Sequence, residues 1–239
     1  MMMEKMMKKP IWFKRRVTKD MELLTHAHRY ADAIINQDPY LFQRFREFTW
    51  ALTSISDQDL IADFHQKKDI HATRGTSFKS LTPSINDLLK QQMATVPGWA
   101  CEVDIFNDTT GMVVNTEWRL DFACADGFAV EVAFNHGEAI AWNLLKPVLA
   151  SELNHVQKAL QTRLGIYVCA TEAMKRAGNI DSASGSFEKV QRYLRPMMNQ
   201  LTTPMMLIGI DAPRTFYIDK RTREVCYYDP SLGFFPNST

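Results

Sequence analysis

The sequence predicts an α/β protein: a mixed β-sheet flanked by helices, preceded by a helical N-terminal subdomain. Three observations predict it. Residues 21–96 place apolar side chains at helical spacing, punctuated by N-cap and proline signals. From residue 97 the pattern shifts to period-two alternation and short, wholly apolar runs. Two helical stretches then separate those runs, as crossovers between parallel strands require. At 239 residues and 46% apolar content, the chain is long enough for one sizeable core.

The elements follow in order. Residues 1–20 are a basic arm that lacks the apolar core and cleavage site of a signal peptide, and read as a solvated, mobile tail. Residues 21–36 (MELLTHAHRYADAIIN) read as a helix. Asp38-Pro39 is an N-cap followed by a first-turn proline, opening LFQRFREFTWAL, whose Phe/Trp stripe is core. Ser56-Asp57 starts a third helix, DQDLIADFHQKK, and residues 69–80, with Gly75, read as a loop. Thr82-Pro83 opens a fourth helix to about Val96, ended by Pro97-Gly98.

WACEVDIFND then alternates as a strand, and EWRLDFACAD with FAVEVAFN forms a hairpin. Ala139 to Gln161 reads as a long helix kinked at Pro147. GIYVCAT is a buried strand, Ser184 to Leu201 an amphipathic helix, PMMLIGI a second buried strand, and TFYIDKRTREVCYYD a C-terminal hairpin. The organisation is thus an arm (1–20), a helical subdomain packed on the core (21–96) and a core with a terminal hairpin (97–239).

Composition excludes several classes. A net charge of +1 argues against a polybasic, histone-like protein but leaves room for a local basic cleft. Cys101, Cys124, Cys169 and Cys226 form no CxxC; the first three sit in expected strands and suggest buried, reduced thiols of a cytoplasmic protein rather than a zinc site. No apolar run nears the ~20 residues that span a bilayer, so no membrane partner is expected. The chain has no repeat, Gly-rich phosphate loop, GxSxG or HExxH. On a helix, His26 and His28 would diverge and make no metal pair; His65, His71 and His155 are isolated.

The chemistry concentrates in WRLDFACADGFAVEVAFNH, Trp118 to His136. Asp121 lies near the end of one strand and Glu131 inside the next, so both acids can address one small volume. Two carboxylates there suit a hard divalent cation such as Mg²⁺. Glu131 sits in a stretch so apolar that its charge needs compensation, from a metal ion or from an ion pair with a residue such as Arg119. Glu102, after the Pro97-Gly98-Trp99 break, is a third acid to weigh.

The order Asp121, then Glu131-Val132-Ala133 on the following strand, then a long helix, resembles the catalytic core of PD-(D/E)xK nucleases. The train VEVAFNH, GIYVCAT, SASGSFEKVQRYL, TPMMLIGI is similar to restriction endonucleases of the BglII/BstYI type and more distantly of the BamHI type, over about residues 97–211. The resemblance implies a restriction-endonuclease-like fold and a type II enzyme cutting double-stranded DNA at a short palindrome, as a homodimer, with Mg²⁺. It implies that Asp121 is the main metal ligand, that Glu131 holds the metal or its water, and that the Val132 carbonyl completes the inner shell. It places Glu102 as an accessory acidic group, Asn135 and His136 at a base-contacting position, and Ser184, Gly185 and Ser186 in a second recognition loop.

Ala133 departs from the pattern. Family members carry Lys, Glu or Gln there, to orient or deprotonate the attacking water, and a methyl group can do neither. The chain is an inactivated variant, or another residue (His136 or Lys146) supplies the function, or the protein binds DNA without cutting it; Ala133→Lys is then expected to raise Mg²⁺-dependent cleavage by orders of magnitude. A repair or mobile-element nuclease shares the same core chemistry. Phosphate contacts are expected from among Arg74, Lys79, Lys146, Lys189 and Arg192, each of which also reads as a solvated surface charge. Asn135 equally reads as a strand-end turn residue and the SASGS serines as a helix N-cap. The helices after residue 138 are expected to contribute to the dimer interface.

Overall fold

The computed structural model describes residues 21–107, 118–152 and 157–229; the basic arm, His155 and the last ten residues lie outside these. Residues 21–36 depart from the expected single helix. Leu23–His28 is a strand, β1; Arg29 and Tyr30, with φ of 52° and 57°, then turn the chain into α1 (Ala31–Gln37). The apolar spacing here suits either period. The choice falls to tertiary pairing: β1 satisfies the free backbone edge of β6 (Met205–Ile210), antiparallel from Leu23↔Ile210 to His28↔Met205. His26 and His28 therefore share a side, contrary to the helical expectation. His28 is buried, donates from Nε2 to the Leu201 carbonyl at 2.9 Å, and is held below the ordinary histidine range chiefly by burial.

The next helices start where side-chain chemistry says they should. Asp38 accepts from the N–H groups of Tyr40 and Leu41 and opens α2 (Pro39–Thr53). Ser56 and Asp59 form a reciprocal capping box at α3 (Asp57–Thr73). This helix runs past Asp69 into the stretch expected to be a loop. α4 (Thr82–Met93) follows.

The main sheet adds β2 (Ala100–Asp104), β3 (Arg119–Ala123), β4 (Phe128–Val132) and β5 (Leu164–Ala170), in the order β1-β6-β5-β4-β3-β2. β4, β5 and β6 are parallel, and the outer pairs are antiparallel. The crossovers are shorter than expected. α5 (Ile140–Ser151) stops ten residues before Gln161, whose side-chain amide donates to the carbonyls of Ser151 and Thr162. α6 (Glu172–Ala177), capped by Thr171, has no counterpart in the sequence reading. α7 (Phe187–Leu194) occupies only part of the expected Ser184–Leu201 helix. A small hairpin, β7 (Phe216–Ile218) and β8 (Val225–Tyr227), closes the described chain.

Alternation along the strands sorts side chains between two faces. Phe122, Phe128, Val130, Ile166, Val168, Met206 and Ile208 join the core formed with α1–α4. Tyr167, Cys169, Met205 and Leu207 join the second core, with Ile140 and Leu144 of α5 and Val190 of α7. Glu131 alternates with Val130 and Val132, so it points to the α5 side. Cys124 and Cys169 are buried, as expected of strand thiols, but Cys101, on edge strand β2, is exposed. No described helix is long and apolar enough to cross a membrane.

Candidate active site

In the β3–β4 pair, Phe122 faces Val130 and Ala123 faces Ala129. One step outward, the same register sets Asp121 opposite Glu131, so both carboxyl groups emerge on the α5 side of the sheet. Asp121 Oδ2 accepts from the Val132 N–H at 2.6 Å. Glu131 is buried, and its Oε2 accepts from Lys146 Nζ at 3.1 Å. Lys146, on α5, also donates to the Arg119 carbonyl at 3.0 Å. Glu131 Oε1 is buried and has no hydrogen-bond partner.

The electrostatics follow from this geometry. Burial, and then the neighbouring Asp121 charge, push the Glu131 carboxyl up to about 8 despite the opposing pull of Lys146. Burial also raises Asp121, while the Val132 N–H and then Lys146 and Lys90 act the other way. Two carboxyl groups compete for one lysine, and the pair remains short of positive charge. A divalent cation fits that deficit and the unpartnered oxygen. Among the described residues no group of three or more His, Cys, Asp or Glu gathers as a metal site, so protein side chains would supply two ligands. That suits Mg²⁺, which usually keeps waters and binds substrate phosphate beside one or two carboxylates.

The remaining expected residues fall into two groups. Glu102 is exposed, has φ of 52°, and pairs with Lys90 and with Arg119. The Lys90 hydrogen bond holds its carboxyl below the usual range, and its charge is felt at Asp121, so it borders the pair. Ala133 continues the β4–β5 ladder, its N–H donating to the Val168 carbonyl at 2.8 Å, and its methyl is buried in the α5 core.

Asn135 and His136 are exposed just beyond β4 and are stitched to the loop before α7. The Gly185 N–H donates to the Asn135 carbonyl at 2.9 Å, His136 bridges to Ser184, and the Gly137 N–H donates to the Ala183 carbonyl at 2.7 Å. The side chains of Ser184 and Ser186 face inward: Ser184 Oγ donates to the Phe134 carbonyl, and Ser186 Oγ accepts from the Lys189 N–H to cap α7. Gly185 packs closely on α5, since a Cβ there would lie 3.0 Å from the Ile140 side chain. The outward rim of this loop is Asp181–Ala183.

Sequence reasoning missed Lys175. Its buried amine donates to the carbonyls of Ser182 (3.0 Å) and Ser184 (2.8 Å), bracing the loop from within. In EAMKRA it looks like any solvated lysine, and nothing local marks it. Of the expected phosphate contacts, Arg74, Lys79 and Arg192 are exposed, the Lys189 amine lies over Gly137, and Lys146 is committed to Glu131.

A mixed sheet with a parallel centre, two acids on its adjacent antiparallel strands and a helix laid over them defines a restriction-endonuclease-like protein. Residues 23–210 match the model of the restriction endonuclease BglII/BglIII family, and the chain belongs to that family of site-specific DNA-cutting enzymes. The crystal structure of restriction endonuclease BglII complexed with a DNA 16-mer is similar, with a TM-score of 0.57 and 17% identity over 87% of this chain and 89% of that one. Free BglII aligns with a TM-score of 0.46 and 15% identity over 87% and 92%. No curated protein sequence matches.

Proposed function

We propose that this chain is a Mg²⁺-dependent type II restriction endonuclease that hydrolyses double-stranded DNA as a homodimer at a short palindrome. The reading rests on one observation above all: Asp121 and Glu131 share a buried spot that holds too little positive charge and an unpartnered carboxylate oxygen. Asp121, Glu131 and the Val132 carbonyl would hold the ion. The Asp121–Val132 hydrogen bond fixes the first carboxylate, leaving its orientation independent of substrate. When bound, the cation lowers the pKa of water and offsets charge on the phosphate.

In the reaction, a water oxygen bonds to phosphorus in line with the leaving group. The P–O3′ bond breaks, the 3′ oxygen takes a proton from solvent, and the attacking water releases one. Glu102, at the margin, tunes the field of the pair. Asn135 and His136 face base edges, where Asn can bond adenine bidentately. The loop of residues 181–186 forms the second reading surface. A palindromic site pairs naturally with a two-fold dimer.

Titrating Mg²⁺ against plasmid DNA tests this. Discrete fragments are expected. A smear would indicate a repair or mobile-element nuclease instead. The buried methyl of Ala133 favours a second reading, a non-cleaving DNA-binding protein. A gel shift without cleavage at any Mg²⁺ concentration would support that reading or an inactivated form of the first, and cleavage by Ala133→Lys separates the two.

A further inference from the structure

Position 133 leaves a chemical gap, and the structure offers one side chain that reaches the same spot from elsewhere. Lys146 comes from α5 rather than from β4, yet its amine lies 3.1 Å from Glu131 Oε2. It is not a mobile surface lysine: its side chain is 15% exposed, and its amine is oriented by the Arg119 carbonyl as well as by Glu131. Its backbone is fixed too. The next residue, Pro147, lies so close to β5 that a Cβ on Gly165 would come within 2.9 Å of the proline Cβ. Gly165 therefore lets α5 approach the sheet at the point where the lysine is carried. His136, the other candidate for the missing role, is exposed and bridged to Ser184, and among the described contacts none ties it to either carboxylate.

We propose that Lys146 is a catalytic residue that has taken over, from the helix, the role a side chain at position 133 plays on the strand. The proposal rests on the nuclease reading above and deepens it. Lys146 acts as a fixed ammonium and hydrogen-bond donor, with no change of protonation required. With Glu131 engaged by a cation, the amine would keep the Arg119 carbonyl as its anchor. Its remaining donors face the attacking water and the phosphate oxygens on which negative charge grows. Donors placed in advance at such a site are worth about 100- to 1,000-fold in rate. The competing account is that Lys146 only occupies the cation's seat when no cation is bound.

The test uses the full chain, single-turnover cleavage of plasmid DNA at saturating Mg²⁺, gel shifts of the same plasmid in Ca²⁺, and Mn²⁺ binding. Lys146→Met is expected to cut about 100-fold or more slowly, with gel shift and Mn²⁺ binding retained. Moving the amine back, in the double variant Lys146→Met/Ala133→Lys, is expected to restore a substantial part of the rate. That rescue distinguishes a chemical role from a structural one and does not depend on the stability of the single variant. Lys146→Met cutting at the unmodified rate, with only its Mg²⁺ requirement changed, would overturn the proposal and establish the seat-filling account. Cutting by Ala133→Lys alone, with the unmodified chain inert, would overturn it too while leaving the nuclease fold's chemistry intact. No cutting by either would overturn the nuclease reading itself.

Discussion

Glu131 is where stability and function pull apart. Its folded carboxyl binds a proton more tightly than an unfolded one, up to about 8 from 4.5. The sign follows: the folded state is favoured while Glu131 is protonated, and that advantage is lost as pH rises through this window. Glu131→Gln, which cannot ionise, should match the unmodified chain near pH 5. Near pH 9 without metal it should be more stable, by an amount on the order of a few kcal/mol. Thermal melts at both pH values check this, and a difference that does not grow with pH would contradict it. A divalent cation should reverse the ranking, raising the melting temperature of the unmodified chain at high pH and leaving Glu131→Gln unmoved. At Asp121 the expected change is purely functional. Asp121→Asn keeps an acceptor for the Val132 N–H but loses the charge, so cleavage should fall by orders of magnitude while plasmid binding in a gel shift holds or strengthens.

Elements were legible where local chemistry decides them. The Asp38-Pro39 start of α2, the Ser56-Asp57 start of α3 and the apolar runs of β5 and β6 are legible because helix starts and buried strands are written in neighbouring residues. β1 is not legible because its spacing fits two periods and only the edge of β6, far along the chain, selects one. α5 was overextended because apolar content continues past Ser151 while the chain turns through side-chain contacts from Gln161. At the site, the acids could be found from the pattern, since each sits in a strand whose face is fixed by alternation. Lys146 could be named but not placed, because its reach depends on how closely α5 approaches β5. Lys175 could not be found, since beside the ordinary i,i+3 pair with Glu172 its shorter contacts are to carbonyls of a loop with no sequence signature. One packing contact tests this level. A Cβ on Gly209 of β6 would fall 2.7 Å from the Phe187 ring at the start of α7. Gly209→Val should therefore cost about 1–3 kcal/mol in denaturant melts, and by shifting α7 it should blur the fragment pattern before cleavage is lost.

At the scale of the molecule, a net charge of +1 means that DNA must be held by local rather than overall charge. Plasmid affinity should still fall steeply between about 50 and about 200 mM salt, because phosphate contacts release counterions. A flat salt response in the gel shift would argue against a phosphate-tracking surface. Sedimentation of the free protein should give twice the 27.5 kDa chain mass if the palindrome reading holds.

The pairing of Leu23 with Ile210 has a consequence for biogenesis. A ribosome must deliver residue 210 before the partner of the earliest described strand is complete, and contacts this distant along the chain are slow to form. Until then the nascent protein carries its acids on an unfinished sheet. Competence should therefore arise late and all at once, a timing that pulse proteolysis of stalled chains would reveal as protease sensitivity persisting until residue 210 has left the exit tunnel.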